Sequence, residues 1–386
     1  MPADGRADGR VRRLRRGLGV GVVVLLTVSL VAMGLLWPSA EPDEVDVVEP
    51  PPAETHRAEL IDVVELGPDP AALMPDAVVL QITAELDDTG ELVTFETVET
   101  AEDLFEPGQR VELAVVEGVD GEPTWFINDF VRDVPLALLV VLFAAAVVAL
   151  GRWQGLRALI GLGITFAVIL AFVVPAVLDG RDPVLVAVVG AVVIMVATLY
   201  LSHGFGSKTT AALVGTVGAL ALTAGLAHLF IEAAAITGLA SEDARLAELQ
   251  VGDLSLRGLL LAAIVIGALG VLDDVTMSQS STVFALRESD PSAPAGTLFA
   301  RAMRVGRDHV AATVNTLFLA YAGAALPLLI LFVVGVDGVG TVVTSELVAA
   351  ELVRTMVGSI GLVAAVPLAT AVAVAVADPP TRRAER

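Results

Sequence analysis

Gly267-Ala-Leu-Gly-Val-Leu-Asp-Asp-Val-Thr-Met-Ser-Gln-Ser-Ser281 decides how the rest of the chain is read. It opens as an apolar run and passes directly into Asp273 and Asp274. Thr276, Ser278, Gln279, Ser280 and Ser281 follow within two helical turns. Ionisable groups at membrane depth are expensive to keep there and mark functional sites by default. The reading turns on whether the sequence around these acids is membrane sequence.

Composition says that it is. Hydrophobic residues make up 55% of the 386 and the mean hydropathy is +0.79, too apolar for an ordinary soluble domain. Apolar runs long enough to span a bilayer occur at about 134–150, 156–178, 183–201, 209–231, 256–275, 313–336 and 356–377. An eighth, Gly17 to Trp37, follows a start rich in arginine. Its length suits an uncleaved signal anchor better than the short apolar core of a cleaved leader. The expected fold is a polytopic α-helical membrane protein with about eight transmembrane helices.

Between helices one and two the character changes. Residues 38–54 are acidic and proline-rich, the composition of a stiff solvated linker. Residues 55–131 alternate in short β-branched segments at Arg57–Val64, Val78–Leu86, Glu91–Val98, Arg110–Val116 and Thr124–Val131, separated by turn sequences such as Asp87-Asp-Thr-Gly90 and Glu106-Pro-Gly-Gln109. They predict a small all-β domain, a barrel or sandwich. A seven-helix domain over 134–377 and a tail of 378–386 complete the chain.

Loop charge orients it. With residues 1–16 inside, the inner segments carry Arg152, Arg157, Lys208, Arg287, Arg301, Arg304, Arg307, Arg382, Arg383 and Arg386. The opposite loops hold Arg181, Arg245, Arg257 and Arg354 alongside Asp179, Asp182, Glu242, Asp243, Glu248, Asp253, Asp337, Glu346 and Glu351. The positive-inside rule then predicts cytoplasmic N- and C-termini in a bacterial plasma membrane and an extracytoplasmic β domain at 38–133.

Several chemistries drop out. A formal net charge of -22 opposes nucleic-acid binding, which needs concentrated Lys and Arg. The absence of cysteine removes thiol nucleophiles, disulfides and Cys-ligated zinc. The four histidines form no His-Glu-x-x-His motif. Gly204-Phe-Gly-Ser-Lys-Thr209 fails the phosphate-loop spacing, because Ser207 separates Gly206 from Lys208. No enzyme and no cofactor are expected.

What remains is oxygen chemistry. On a continuing helix Asp274, Ser278 and Ser281 share one face, and Asp273, Thr276 and Ser280 an adjacent one. Carboxylate, hydroxyl and amide oxygens suit a proton or a hard cation. The bland alternative is that both acids cap the next segment at the membrane surface. Arg307-Asp308-His309 and Asn315 fall on the same side and complete the candidate set. Small residues four apart, at Ala211/Gly215, Ala221/Gly225 and Gly361/Ala365, suit close helix packing.

Gly270-Val-Leu-Asp-Asp-Val-Thr-Met-Ser-Gln279, Gly306-Arg-Asp-His309 and Asn315-Thr-Leu-Phe-Leu-Ala-Tyr-Ala-Gly-Ala-Ala325 resemble the YibE/F-like integral membrane proteins of bacteria. The likeness is read as running from the external β segment through the last span. It implies the architecture, and transport is its usual suggestion. The expected function is a transporter or permease of unassigned substrate, coupled to a proton or cation through Asp273/Asp274. Thr276, Ser278, Gln279 and Asn315 would line its path. The alternative is a membrane-anchored sensor or scaffold whose β domain binds an envelope partner. Expected partners are the lipid bilayer and a transported solute or ion; a homo-oligomer is compatible with the sequence.

Overall fold

The computed structural model describes residues 4–38, 54–68, 77–100, 105–117, 123–239, 245, 246, 248, 254–327, 330 and 344–377. The chain forms two compact units, Val48–Ala146 and the remainder, Met1–Val47 with Val147–Arg386. The expected linker and C-terminal tail lie almost wholly outside the described residues.

The first unit holds β1 (Glu54–Pro68), β2 (Ala77–Leu86), β3 (Leu92–Thr100), β4 (Arg110–Glu117) and β5 (Pro123–Phe130). They form one five-stranded antiparallel sheet in the order β3-β2-β1-β4-β5. Alternation makes its core: Leu80, Ile82, Ala84 and Leu86 of β2 point inward with Leu60, Val93, Phe95, Val111 and Leu113, as a period of two requires. β1 is long enough to pair with both β2 and β4, bending at irregularities between Leu60 and Asp62 and between Glu65 and Gly67. Gly90 (φ +68°) closes the β2–β3 turn and Gly108 (φ +87°) sits in the turn that leads into β4, where a left-handed backbone favours glycine.

β5 runs into α2 (Asp133–Val168) with only Val131 and Arg132 between them. Arg57 of β1 pairs with Asp133 at 2.8 Å. With no linker at this junction, the first turns of α2 belong to the β unit, so the expected domain boundary at 131–134 moves to about residue 146.

The second unit is helical. It contains α1 (Asp4–Leu35), most of α2, a π-helical turn at Ile169–Val173, α3 (Val174–Leu178), α4 (Pro183–His203), α5 (Ser207–Ala233), α6 (Leu256–Ser289), α7 (Ala295–Ala324) and α8 (Glu346–Val376). Among the described residues six stretches are long and apolar enough to cross a membrane: Val11–Leu35, Asp133–Leu178, Pro183–His203, Ser207–Ala233, Leu256–Ser289 and Glu346–Val376.

The expected count was eight, and the difference has two sources. Asp133–Leu178 is 46 residues, which as one straight helix would reach about 69 Å, twice a bilayer core. It is broken at Arg152 (φ 51°, ψ -128°). Beyond the break a side chain on Gly155 would collide with the Val147 carbonyl, a residue about 12 Å away along a straight helix, so the chain folds back there. The other source is α7, whose first half carries Arg301, Arg304, Arg307 and Asp308 and is too polar to qualify. The apolar stretch expected at 313–336 runs beyond the described residues. Helix α1 also starts earlier than expected, drawing the basic N-terminal residues into the helix.

Small residues set the tightest crossing. Ala211, Gly215 and Ala219 of α5 and Gly361, Ala365, Ala369 and Ala373 of α8 are all buried. A Cβ on Gly215 would lie 2.8 Å from the Ala369 Cα, and one on Gly361 would strike the Thr223 hydroxyl. Ala221 and Gly225, the third small pair, face outward.

The two ends of the helical unit differ in charge. At one end Arg15 of α1 donates to the Val376 carbonyl of α8 through Nε (2.8 Å) and Nη2 (2.6 Å), beside Ser207 and Thr210 at the start of α5. The α6–α7 turn shares that end through the cluster of Val283, Leu298, Ala302 and Ala373. Arg287 clamps the turn on the Ala293 carbonyl at 2.8 Å, and Arg301 pairs with Asp290 at 2.9 Å. At the other end Trp37 stacks on Phe172 at 5.9 Å, and the Glu346 carboxylate accepts from the Thr237 and Gly238 amides, each at 2.7 Å.

Candidate functional site

Three helices build the site. Asp182 caps α4 by accepting from the Leu185 amide at 2.7 Å, with Pro183 at the first helical position, the favoured N-terminal arrangement. Ser255 caps α6 in the same way through the Gly258 amide at 3.2 Å. Both helices start at the acidic end and run to the basic one. Asp273 stands 17 residues into α6, about 25 Å from its start.

The helix continues past the acids to Ser289. This overturns the alternative in which Asp273 and Asp274 cap a following segment. It also disposes of a broken helix at this point, since every residue from Thr276 to Thr282 is helical.

Asp273 and Asp274 open on a cleft of about 480 Å³ between α2, α4 and α6. Ala158, Leu162, Ile194, Leu199, Ile266 and Leu269 form most of its wall, and Thr165, Thr198, Ser202 and His203 add polar groups. The volume is that of a small-molecule site. Asp273 is half-buried and Asp274 exposed.

The immediate partner of Asp273 is Thr198, whose Oγ1 lies 3.3 Å from Oδ2. That hydroxyl also reaches the Ile194 carbonyl at 2.9 Å. A hydroxyl has one proton. It either donates to the carboxylate, or donates to Ile194 and accepts from a protonated Asp273. The pair therefore has a hydrogen-bonded arrangement for each protonation state. Asp273 Oδ1, by contrast, is buried without a hydrogen-bond partner.

Behind the acid lies a hydroxyl layer. Thr276 Oγ1 donates to the Asp273 carbonyl at 3.2 Å and meets Thr216 Oγ1 of α5 at 2.6 Å, both threonines being fully buried. The α4 and α5 threonines are the site residues that sequence reasoning missed. Thr198 and Thr216 are threonines within mostly apolar spans that also carry Ser202 and Thr223, and nothing in the sequence set them apart.

The remaining candidates scatter. Gln279 is buried, donating to the Ala302 carbonyl at 3.0 Å and the Thr370 hydroxyl at 2.7 Å, so it ties α6 to α7 and α8 away from the cleft. Gly306 leaves room for it, since a Cβ there would lie 2.9 Å from Gln279 Oε1. Ser280 is buried with Oγ unpartnered, and His309 has a buried, unpartnered Nε2. Ser278, Arg307, Asp308 and Asn315 are exposed and do not line the cleft. Arg307, placed on the same side as the acids by the sequence, forms no ion pair with Asp273 or Asp274 among the described residues. Met303, Val310 and Val314 of α7 pack against the core; Arg307 shares their side of the helix but is exposed, and Asn315 lies about a third of a turn round from them. No group of three or more His, Cys, Asp or Glu able to hold a metal ion occurs among the described residues.

No curated protein and no solved structure matches the chain. The model of the YibE/F-like protein family matches residues 139–379. That match takes in every residue of the cleft and starts after the β strands, so the resemblance is narrower than the sequence reading had it. This helical, acid-bearing chain belongs to the YibE/F-like family.

Proposed function

We propose that the protein is a transporter or permease of the bacterial plasma membrane, coupled to a proton or hard cation through Asp273 and Asp274. One observation carries the reading. Asp273 sits midway along a membrane-type helix, faces an open cleft and keeps one carboxylate oxygen without a partner. An ionisable residue in that setting marks an ion or substrate path, and its Thr198 partner accommodates both protonation states.

The topology that goes with this is eight spans, counting two in Asp133–Leu178 and one through α7. The arginine-bearing end faces the cytoplasm and the β unit lies outside. The fold-back at Arg152 and the Arg15–Val376 contact, which puts the first and last helices at one end, both support it. In this topology the cleft's acids lie nearer the cytoplasmic side.

Reconstitution tests the function. In proteoliposomes the protein should collapse an imposed pH or sodium gradient, and Asp273→Asn with Asp274→Asn should abolish that flux while the protein stays monodisperse. Unchanged flux in the double variant would remove the acids from the mechanism.

A second reading is favoured by one feature, the direct β5–α2 junction clamped by Arg57 and Asp133. Here the β unit senses or docks an envelope partner and the helices anchor it. Deleting residues 55–131 separates the two. A transporter keeps measurable flux, whereas a docking protein loses its partner and has no flux to keep.

A further inference from the structure

The cleft is larger and more apolar than an inorganic ion needs. Bare hard cations are held by several oxygens at short range. Here six aliphatic side chains line a space of about 480 Å³, and its two carboxylates are neighbours on one helix. The acids and the deepest aliphatic side chains lie apart along the helix axes, with the hydroxyls of Thr165 and Thr198 among the lining as well. Asp273, Asp274, Ser202 and His203 lie towards the basic end, while Ile194, Ile266 and Leu269 lie deeper. From Ile266 to Asp274 is eight residues, about 12 Å. No Lys or Arg and no Phe, Tyr or Trp lines the cleft among the described residues.

Each absence narrows the ligand. Without a fixed cation, two carboxylates repel anions. Without aromatic rings there is no surface for cation–π capture of a quaternary ammonium. The exposed Asp274 and its neighbour Asp273, both lining the cleft, are matched by a ligand that brings N–H groups together with positive charge. We infer that the cleft binds a protonated primary amine carrying an apolar body, its ammonium on Asp273 and Asp274 and its hydrocarbon against Ile194, Ile266 and Leu269. This rests on the transport reading of the same cleft and names its substrate class.

The test is calorimetric titration of the full chain in lipid nanodiscs, with empty nanodiscs as the blank. The probes are phenethylammonium, methylammonium, phenethyltrimethylammonium and 3-phenylpropanoate. Phenethylammonium should bind one to one, at least about tenfold tighter than methylammonium or the trimethyl analogue, with no binding of the carboxylate. Asp273→Asn should weaken it about tenfold or more. Gly270→Leu should weaken it as well without unfolding the protein, because a side chain at Gly270 meets open space.

Equal binding of methylammonium and phenethylammonium overturns the inference, as does preference for the quaternary probe or undiminished binding in Asp273→Asn. Flux in proteoliposomes keeps the two claims apart. Asp273-dependent proton or sodium flux with no phenethylammonium binding leaves transport standing and removes the amine. Phenethylammonium binding without any flux does the reverse.

Discussion

The α5–α8 crossing and the α2–α4–α6 cleft are made from the same kinds of residue and come out opposite. At the crossing, Gly215 and Gly361 have no room for even a methyl group. At the cleft, Gly270 has nothing within 4 Å and Gly161 only ordinary contacts, the nearest at 3.6 Å. In a bilayer, helices gain little by hiding apolar surface from lipid, so close backbone approach and buried hydrogen bonds hold them together. Where both are present the bundle is solid. Where α2, α4 and α6 spread apart, a polar group is left incompletely partnered beside open space, and such places do chemistry. Glycine content alone does not tell the two apart.

Substitutions at these glycines test the contrast most severely. Gly361→Leu should prevent the bundle from forming, seen as loss of the monodisperse protein after extraction, because the Thr223 side chain stands directly in the way. Gly215→Ala is the graded version and should destabilise by about 1–3 kcal/mol, the usual range for overpacking, measured by unfolding in mixed micelles. If Gly215→Ala is neutral, the crossing is looser than described.

Thr198→Val sharpens the comparison from the cleft side. Losing a hydrogen bond to a charged group amounts to about 1.5–3 kcal/mol, so gradient-driven flux should fall roughly tenfold or more while stability changes little. Thr198→Ser should restore the flux. Equal loss in the serine variant would point to packing by the threonine methyl instead.

Gly270→Ala should be close to silent in the unfolding assay, or stabilising by up to about 1 kcal/mol through helix propensity. A destabilisation as large as that of Gly215→Ala would erase the distinction between the two regions.

The smallest effect belongs to the β unit. The hydrogen bond from His56, 2.9 Å from Asp88 Oδ2, chiefly holds the Asp88 carboxyl below its ordinary range. A carboxyl lowered by folding contributes stability above its unfolded pKa and loses it as pH falls through the folded one. Stability should therefore not respond to Asp88 between about pH 6 and 8, and should weaken only below about pH 4. Asp88→Asn should flatten that acid limb in circular dichroism of the β signal.

How much of this was legible beforehand follows from the period of each signal. All five strands were readable because inward positions such as Leu80, Ile82, Ala84 and Leu86 repeat every second residue between turn residues. Helices that are apolar all round give length and no facing direction. The sequence could therefore show that Asp273 and Asp274 were anomalous without showing which helices they faced. Reasoning from chain order assigned them Arg307 and Asn315, on the next helix. Space assigned them Thr198 and Thr216, from helices earlier in the chain. Gln279 was readable as polar at depth, but only packing reveals that its amide is consumed by Ala302 and Thr370. The small pairs divided in the same way, since Ala221 and Gly225 have the spacing of a contact and face outward.

That buried Gln279 amide also bears on time. An amide with no partner in hydrocarbon is costly, and both acceptors of Gln279 lie on helices synthesised after α6. Arg15, near the start of the chain, likewise donates to the carbonyl of Val376, at the end of the last helix. The first and last of the described helices are thus tied to each other, and the Gln279 amide is satisfied only with α7 and α8 in place.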